Sequence, residues 1–302
     1  MSTTGNPTQP EAIPAKTAEM PVMLYGTAWK KERTADLVYD AIKAGFRGID
    51  TAAMKRHYDE ALTGEGIQRA IADGLVTRSE LWIQTKFTPG DEAYADRARY
   101  PTIPSQILAS LTTSLTNLST PYLDALILHS PFPTPAATAL AWSTLQTLTP
   151  SPILQLGISN AALTHLVPLS PPPAIIQNRF HAATVFDVAI RRWIAAPDDT
   201  STTTTYQGFW TLTGNRGVWT TPTPGGFVER VSQGAGVEPA TAWYALLVAE
   251  GVVVLNGTTD PLGRGREDLE GLENVAAWRE TEEGREVWEG CLGEFRGFVG
   301  AV

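Results

Sequence analysis

The sequence predicts an α/β protein built as a single (β/α)8 barrel, the TIM-barrel architecture. Two observations carry that expectation. Short apolar runs rich in β-branched residues alternate with segments of helical period along the 302 residues, and several runs close on a polar or titratable side chain. Parallel strands covered on both faces read as near-continuous apolar stretches, and a barrel brings their carboxyl ends to one face. A doubly wound sheet is the main alternative, but no Gly-x-Gly-x-x-Gly follows the first run.

The candidate strands are Val22 to Ala28, Phe46 to Thr51, Leu81 to Phe87, Leu123 to His129, Ile153 to Ser159, Ala174 to Asn178, Tyr206 to Leu212 and Gly251 to Asn256. Between the first two, Asp36 to Ala44 sets Leu37, Val38, Ala41 and Ile42 on one helical face and stops at Gly45, a residue suited to a C-terminal cap. Ser105 is placed to cap a helix whose stripe is Ile107, Leu108, Leu111, Leu115 and Leu118. Three connections look long and irregular: Pro89 to Pro104, Ala195 to Thr205 and Thr213 to Gly226. Where they follow strands they lie on the face that sets ligand choice. The Pro-rich stretch Ser170 to Pro173 precedes a strand, on the opposite face, and reads as structural. Beyond Thr281 the pattern is an amphipathic helix running almost to Val302, which leaves little chain to fold over the mouth and predicts an open pocket. Residues 1–19, rich in Thr, Pro, Ala and Glu, read as a disordered tail, and residues 20–302 as one barrel with a C-terminal helix.

A hydrophobic content of 43% supports one large core at this length. Acidic residues outnumber basic ones by 32 to 23, the net charge is -9 and no long Lys/Arg run occurs, so nucleic acid is not an expected partner. The N-terminus lacks the basic start and apolar segment of a secretory signal, and no stretch approaches the roughly 20 apolar residues that span a bilayer. A soluble, cytoplasmic protein without membrane association is the expectation. The single cysteine, Cys291, has no intrachain partner and no metal-ligand cluster beside it, so neither a disulfide nor a metal is expected.

Asp50 closes the second run, Lys86 the third and His129 the fourth, so a barrel brings them to one site however far apart they lie in sequence. Tyr58 follows shortly after Asp50. The set resembles the Asp, Tyr, Lys, His tetrad of the aldo-keto reductases. That family usually places its Tyr five residues after Asp; here the interval is eight, and position 55 is a lysine. The stretch Tyr58-Asp59-Glu60-Ala61-Leu62-Thr63-Gly64 is similar to the family's Tyr, Asn, Glu and Gly pattern with one residue missing, which points to an inserted loop.

The resemblance implies hydride transfer from a nicotinamide to an aldehyde or ketone, with Tyr58 as general acid. A free tyrosine has a pKa of about 10, so Lys86 is expected to favour the phenolate, Asp50 to hold Lys86, and His129 to orient the carbonyl. His57, His165 and His181 lack a strand-end setting and read as structural.

Further motifs fit the same resemblance. Gly157-Ile158-Ser159-Asn160 is similar to the family's Gly-x-Ser-Asn, in which Ser and Asn bond the nicotinamide carboxamide, and Gln177 to its Gln, the third partner. Ser159 and Asn160 also suit a helix cap. Phe209 aligns with the aromatic residue that stacks on the nicotinamide, with Trp210 as competitor, and Gly26-Thr27 with the Gly-Thr turn beneath the cofactor. After the eighth run, Asn256 stands in place of the family's phosphate-binding Lys. Gly257, Thr258 and Thr259, with Arg264 or Arg266, remain to bind a 2'-phosphate. NADPH is the expected cofactor, ahead of NADH. Trp29, Trp82 and Trp219 are expected pocket walls for a small carbonyl substrate, and the resemblance implies a monomer.

Two other readings use the same barrel. Lys86 suits a Schiff base with a carbonyl substrate, as in a class I aldolase. The shifted Tyr58 suits a dinucleotide-binding protein that turns over poorly, similar to the potassium-channel β subunits.

Overall fold

The computed structural model describes residues 17–94, 98–196 and 203–300. Eight parallel strands close on themselves in chain order: β1 (Met23–Gly26), β2 (Gly48–Asp50), β3 (Trp82–Phe87), β4 (Leu123–Leu128), β5 (Ile153–Ser159), β6 (Ile175–Arg179), β7 (Thr205–Phe209) and β8 (Val252–Asn256), with β8 pairing β1. Each lies within one residue of, or inside, an expected run. The seventh is shorter at its end, because Trp210 turns out of the sheet at φ 60°.

The helices are α1 (Thr34–Ala44), α2 (Glu60–Ala72), α3 (Ile103–Asn117), α4 (Pro135–Gln146), α5 (Leu163–Leu166), α6 (Val188–Ala195), α7 (Arg216–Trp219), α8 (Phe227–Ala235), α9 (Pro239–Ala249), α10 (Arg266–Trp278) and α11 (Glu282–Val299). In α1 the expected stripe Leu37, Val38, Ala41 and Ile42 is buried, and Gly45 adopts φ 118° while its N–H bonds the carbonyls of Ala41 and Ile42. A left-handed cap of this kind favours glycine because it carries no Cβ.

Three local expectations are corrected. Thr102, not Ser105, caps α3; its hydroxyl accepts from the Ser105 N–H at 3.2 Å, and Ser105 completes the box from inside the helix. Leu108 is exposed, since the stripe facing the barrel runs through Ile107, Leu111 and Leu118. The connection 213–226 is not irregular throughout: a 3-10 turn, Thr213–Asn215, leads directly into α7. The connections 89–104 and 195–205 each include residues outside the described ones.

One core lies between strands and helices, and a smaller cluster of Leu24, Trp82, Ala125, Ile127, Ile175 and Val253 fills the barrel. Ala18, from the expected tail, packs against that inner cluster beside Met20, while residues 1–16 lie outside the described ones. Helix α11 docks on α8 and α9 through Trp288, Leu292 and Phe295, the last edge-on to Trp243 at 5.3 Å. None of its residues lines the cleft at the carboxyl ends of the strands. Cys291 is buried on this helix. No helix among the described residues is long and apolar enough to cross a membrane.

Candidate active site

Strand periodicity places the site. Side chains alternate between the barrel interior and its outer face, and the residues inside fall on one parity: Trp82, Gln84 and Lys86 on β3, Gln177 on β6, Gln207 on β7. Asp50, His129, Ser159 and Phe209 sit where β2, β4, β5 and β7 reach the mouth. They line a cleft of about 1140 Å³ at the carboxyl ends of the strands.

Lys86, 1% exposed, donates to both carboxylate oxygens of Asp50 at 2.7 Å and to the Thr51 carbonyl at 2.8 Å. Its ammonium lies 5.4 Å from the centre of the Tyr58 ring, and the rings of Tyr58 and His129 stand edge-on at 6.1 Å. The four side chains therefore meet despite the longer Asp-to-Tyr interval. The extra residues are taken up in one turn, in which the N–H groups of His57 and Tyr58 both bond the Met54 carbonyl. Asp59 then caps α2, accepting from the Leu62 N–H at 2.9 Å.

Burial pushes the Tyr58 phenol well above the usual tyrosine range, and the Asp50 charge adds to it. In this state the Lys86 charge is met by Asp50, and the phenol keeps its proton. Burial lowers the Lys86 ammonium, opposed by Asp50. His129 is pushed down to about 3 by burial, with the charges of Lys86 and His57 adding. The site is therefore a protonated phenol beside a neutral imidazole. The Tyr58 hydroxyl has no protein hydrogen-bond partner among the described residues. One imidazole nitrogen, His129 Nδ1, is held by the Thr88 hydroxyl at 2.7 Å.

The expected carboxamide set is together at the β5 and β6 ends, but largely bonded within itself. Ser159 Oγ donates to the Gln177 carbonyl at 2.6 Å; Asn160 Nδ2 donates to the His129 carbonyl at 2.9 Å, and its Oδ1 accepts from Arg179 Nη1 at 3.0 Å. Phe209 and Trp210 both line the cleft, and the Arg179 guanidinium lies 5.1 and 4.8 Å from their ring centres. An aromatic face, hydroxyl and amide groups and this volume fit a nicotinamide dinucleotide with a small substrate.

At the β8 end, Gly257, Thr258 and Arg264 line the cleft, whereas Thr259 and Arg266 do not. Asn256 Nδ2 donates to the buried Asp268 at 2.8 Å. Glu238, Glu267 and Asp268 line the same end. Gly26 lines the cleft, but Thr27 is buried beneath it, its N–H donating to the Asp50 carbonyl at 3.0 Å. Trp29 and Trp219 line the cleft. Trp82 does not: it opens β3, so it lies in the inner cluster at the other end of the barrel.

Several residues at the site escaped the sequence reading. His57, expected as structural, lines the cleft edge-on to Trp29 at 3.9 Å, whereas His165 and His181 accept N–H bonds in their own helical turns. Lys30 is buried and donates to the carbonyls of Gly257 and Thr258; burial lowers it to about 8. Arg179, Gln84 and Gln207 were also missed; only the inward parity of their strand positions marks them.

Comparison with known proteins agrees with this geometry. The model of the Aldo/keto reductase family matches residues 22–195. An aldo-keto reductase of Bombyx mori is 36% identical over 122 residues, covering 38% of this chain and 36% of its own length. An uncharacterised oxidoreductase of Bacillus subtilis is 34% identical over 149 residues, 48% of each chain. The NADPH-dependent D-xylose reductase of Meyerozyma guilliermondii is 35% identical over 115 residues, 37% of this chain and 32% of its own. The chain thus spans a third to a half of the length of these curated relatives. Among solved structures, an aldo-keto reductase from a deep-sea metagenome aligns with a TM-score of 0.67 at 20% identity, covering 86% of this chain and 92% of its own, which bears on the fold alone. With a family model matched across more than half its residues and the closed barrel that carries it, the chain belongs to the aldo/keto reductase family.

Proposed function

We propose that the protein reduces an aldehyde or ketone to the alcohol with a nicotinamide dinucleotide, Tyr58 supplying the proton. The observation that carries this reading is the convergence of Tyr58, His129 and Asp50, which holds Lys86, on one cleft, with the phenol protonated and without a hydrogen-bond partner among the described residues. A bound dinucleotide supplies the hydride. The chain's own work is to hold the carbonyl oxygen and deliver the proton. His129, neutral and fixed by Thr88 through Nδ1, turns its other ring nitrogen to the substrate oxygen. As negative charge develops there, the Tyr58 O–H lies in reach to protonate it, and the buried Lys86 ammonium steadies the phenolate left behind.

For the dinucleotide we favour NADPH. Arg264 lines the β8 end without an ion-pair partner among the described residues, and relatives such as the NADPH-dependent D-xylose reductase of Meyerozyma guilliermondii support the same reading. The carboxylates Glu238, Glu267 and Asp268 weigh towards NADH. The aldolase reading is disfavoured, because all three Lys86 protons are engaged and the amine is buried.

The test is NADPH oxidation against a panel of aldehydes and ketones, with Tyr58→Phe alongside. Turnover that falls by about 10²- to 10⁴-fold in the variant, with dinucleotide binding retained, is the expected result. Equal turnover by the variant would remove Tyr58 as the acid. Dinucleotide binding without reduction of any carbonyl by the unaltered protein would leave the binding-protein reading in first place.

A further inference from the structure

Beneath the mouth, inside the barrel, Gln84 and Gln177 meet Asp50, and Gln207 joins the two. In register, Asp50 pairs with Gln84 and Gln177 with Gln207, and side-chain hydrogen bonds join the two pairs across the barrel interior. Asp50 Oδ1 accepts from Gln84 Nε2 at 2.6 Å and from Gln177 Nε2 at 3.0 Å, in addition to Lys86. Gln84 and Gln207 bond reciprocally, Nε2 to Oε1 at 2.8 Å in one direction and 2.9 Å in the other. Gln177 Nε2 also reaches Gln207 Oε1 at 2.9 Å, and Trp82 Nε1 donates to Gln84 Oε1 at 2.9 Å.

One charge sets the direction of the whole network. A carboxylate only accepts, so Gln84 and Gln177 both turn their amide nitrogens to Asp50. Their second N–H groups then require the oxygen of Gln207, whose nitrogen is left for the Gln84 oxygen. Reversing the Gln84 amide would set oxygen against oxygen at Asp50 and at Gln207. One amide oxygen of the trio, Gln177 Oε1, has no protein donor among the described residues, and Gln177 lines the cleft. Three neutral side chains of this length inside a barrel are costly unless every polar atom is met. Here the partners they find are one another and the carboxylate that holds Lys86, and one of them, Gln177, lines the cleft.

We infer that Gln84 and Gln207 are positioning residues: through Asp50 they fix the Lys86 ammonium beside Tyr58, and through Gln177 they present an amide oxygen to the cleft. The role rests on the reduction proposed above. Neither residue touches the cleft, and both act through others.

The experiment compares Gln84→Met, Gln207→Met and the double variant with the unaltered protein, measuring kcat, KM for a reduced carbonyl, the pH–rate profile, the thermal midpoint and dinucleotide affinity by fluorescence. Each single variant should lose about 10- to 100-fold in kcat, as for a lost bond to a charged group, with KM little changed and the pH–rate profile displaced. The double variant removes both halves of the reciprocal pair, so it should regain thermal midpoint relative to the singles without regaining kcat. Gln207→Met should also weaken dinucleotide affinity, because Gln177 loses an anchor. A folded variant with unaltered kcat and pH profile overturns the inference, as does kcat that recovers together with the thermal midpoint, which marks a purely structural pair. Unchanged dinucleotide affinity in Gln207→Met overturns the part assigned to Gln177. If the unaltered protein binds dinucleotide but reduces no carbonyl, the proposed function fails and this role fails with it; normal reduction with unaffected variants sinks this inference alone.

Discussion

At the scale of residues, His129 has consequences for stability as well as for chemistry. Its imidazole is held near a pKa of about 3 in the folded chain, against roughly 6.5 when unfolded. A depressed folded value means that the unfolded chain takes up the proton first as pH falls. The contribution is therefore complete above about pH 6.5 and is lost as pH falls towards 3. Denaturant titrations at about pH 7 and pH 4.5 should show a loss in the unaltered protein that exceeds the loss in His129→Asn by on the order of 1 to 3 kcal/mol. Equal losses would show that His129 titrates normally. Buried carboxyls such as Glu60 and Asp187 are raised and work in the other direction, so the difference between the two proteins is the quantity to read. Asp50, Lys86 and His129 were legible in the sequence because each ends an apolar run. Gln84 was not, because a glutamine inside a run gives no sign of whether it meets solvent or another amide.

At the scale of elements, the stretch between β2 and α2 shows how a changed spacing can keep its endpoint. The residues after Met54 coil into a turn instead of lengthening the loop, so Tyr58 still reaches the mouth and Asp59 still opens α2. Packing of α2 then depends on close approach. A Cβ at Gly66 would lie 2.4 Å from the Ala35 carbonyl and 2.9 Å from Val38 Cβ, so α1 and α2 could not keep their spacing. Gly66→Ala should cost about 1 to 3 kcal/mol, read by denaturant titration. Gly293→Ala, on α11 with nothing within 4 Å, serves as the control and should be neutral or stabilising by about 0.5 to 1 kcal/mol. A neutral Gly66→Ala would mean that the two helices separate freely. The helix pattern was legible from apolar period and capping residues. The cap of α3 was misplaced by one turn, since Thr102 and Ser105 both carry hydroxyls and only backbone geometry decides which lies outside the helix.

At the scale of the whole molecule, the cleft joins two electrostatic settings. Arg179 and Arg216 line the cleft whose Asp50 is paired with Lys86; Glu238, Glu267 and Asp268 line it together with Arg264. Ligand binding to the folded chain alone raises the thermal midpoint, by about 2.7 kcal/mol of stability at a hundredfold excess over Kd. NADPH and NADH at equal concentration should therefore give different midpoint shifts, the larger with NADPH, and Arg264→Ala should reduce the NADPH shift while leaving that of NADH unchanged. A larger shift with NADH would assign the carboxylates to the ribose hydroxyls and reverse the cofactor preference.

The sequence by itself determined the barrel, its eight strands and the convergence of the tetrad, because strand period and helix period are local properties and a closed parallel sheet leaves one place for strand ends to meet. Tertiary structure alone decided which neighbours those residues have. Trp82 went to the inner cluster, Asn256 turned to Asp268, His57 entered the cleft, and Gln84, Gln177 and Gln207 joined Asp50 in one hydrogen-bonded network. These depend on parity and register between strands far apart in the chain, and a hydrogen-bond partner more than a hundred residues away leaves no local trace.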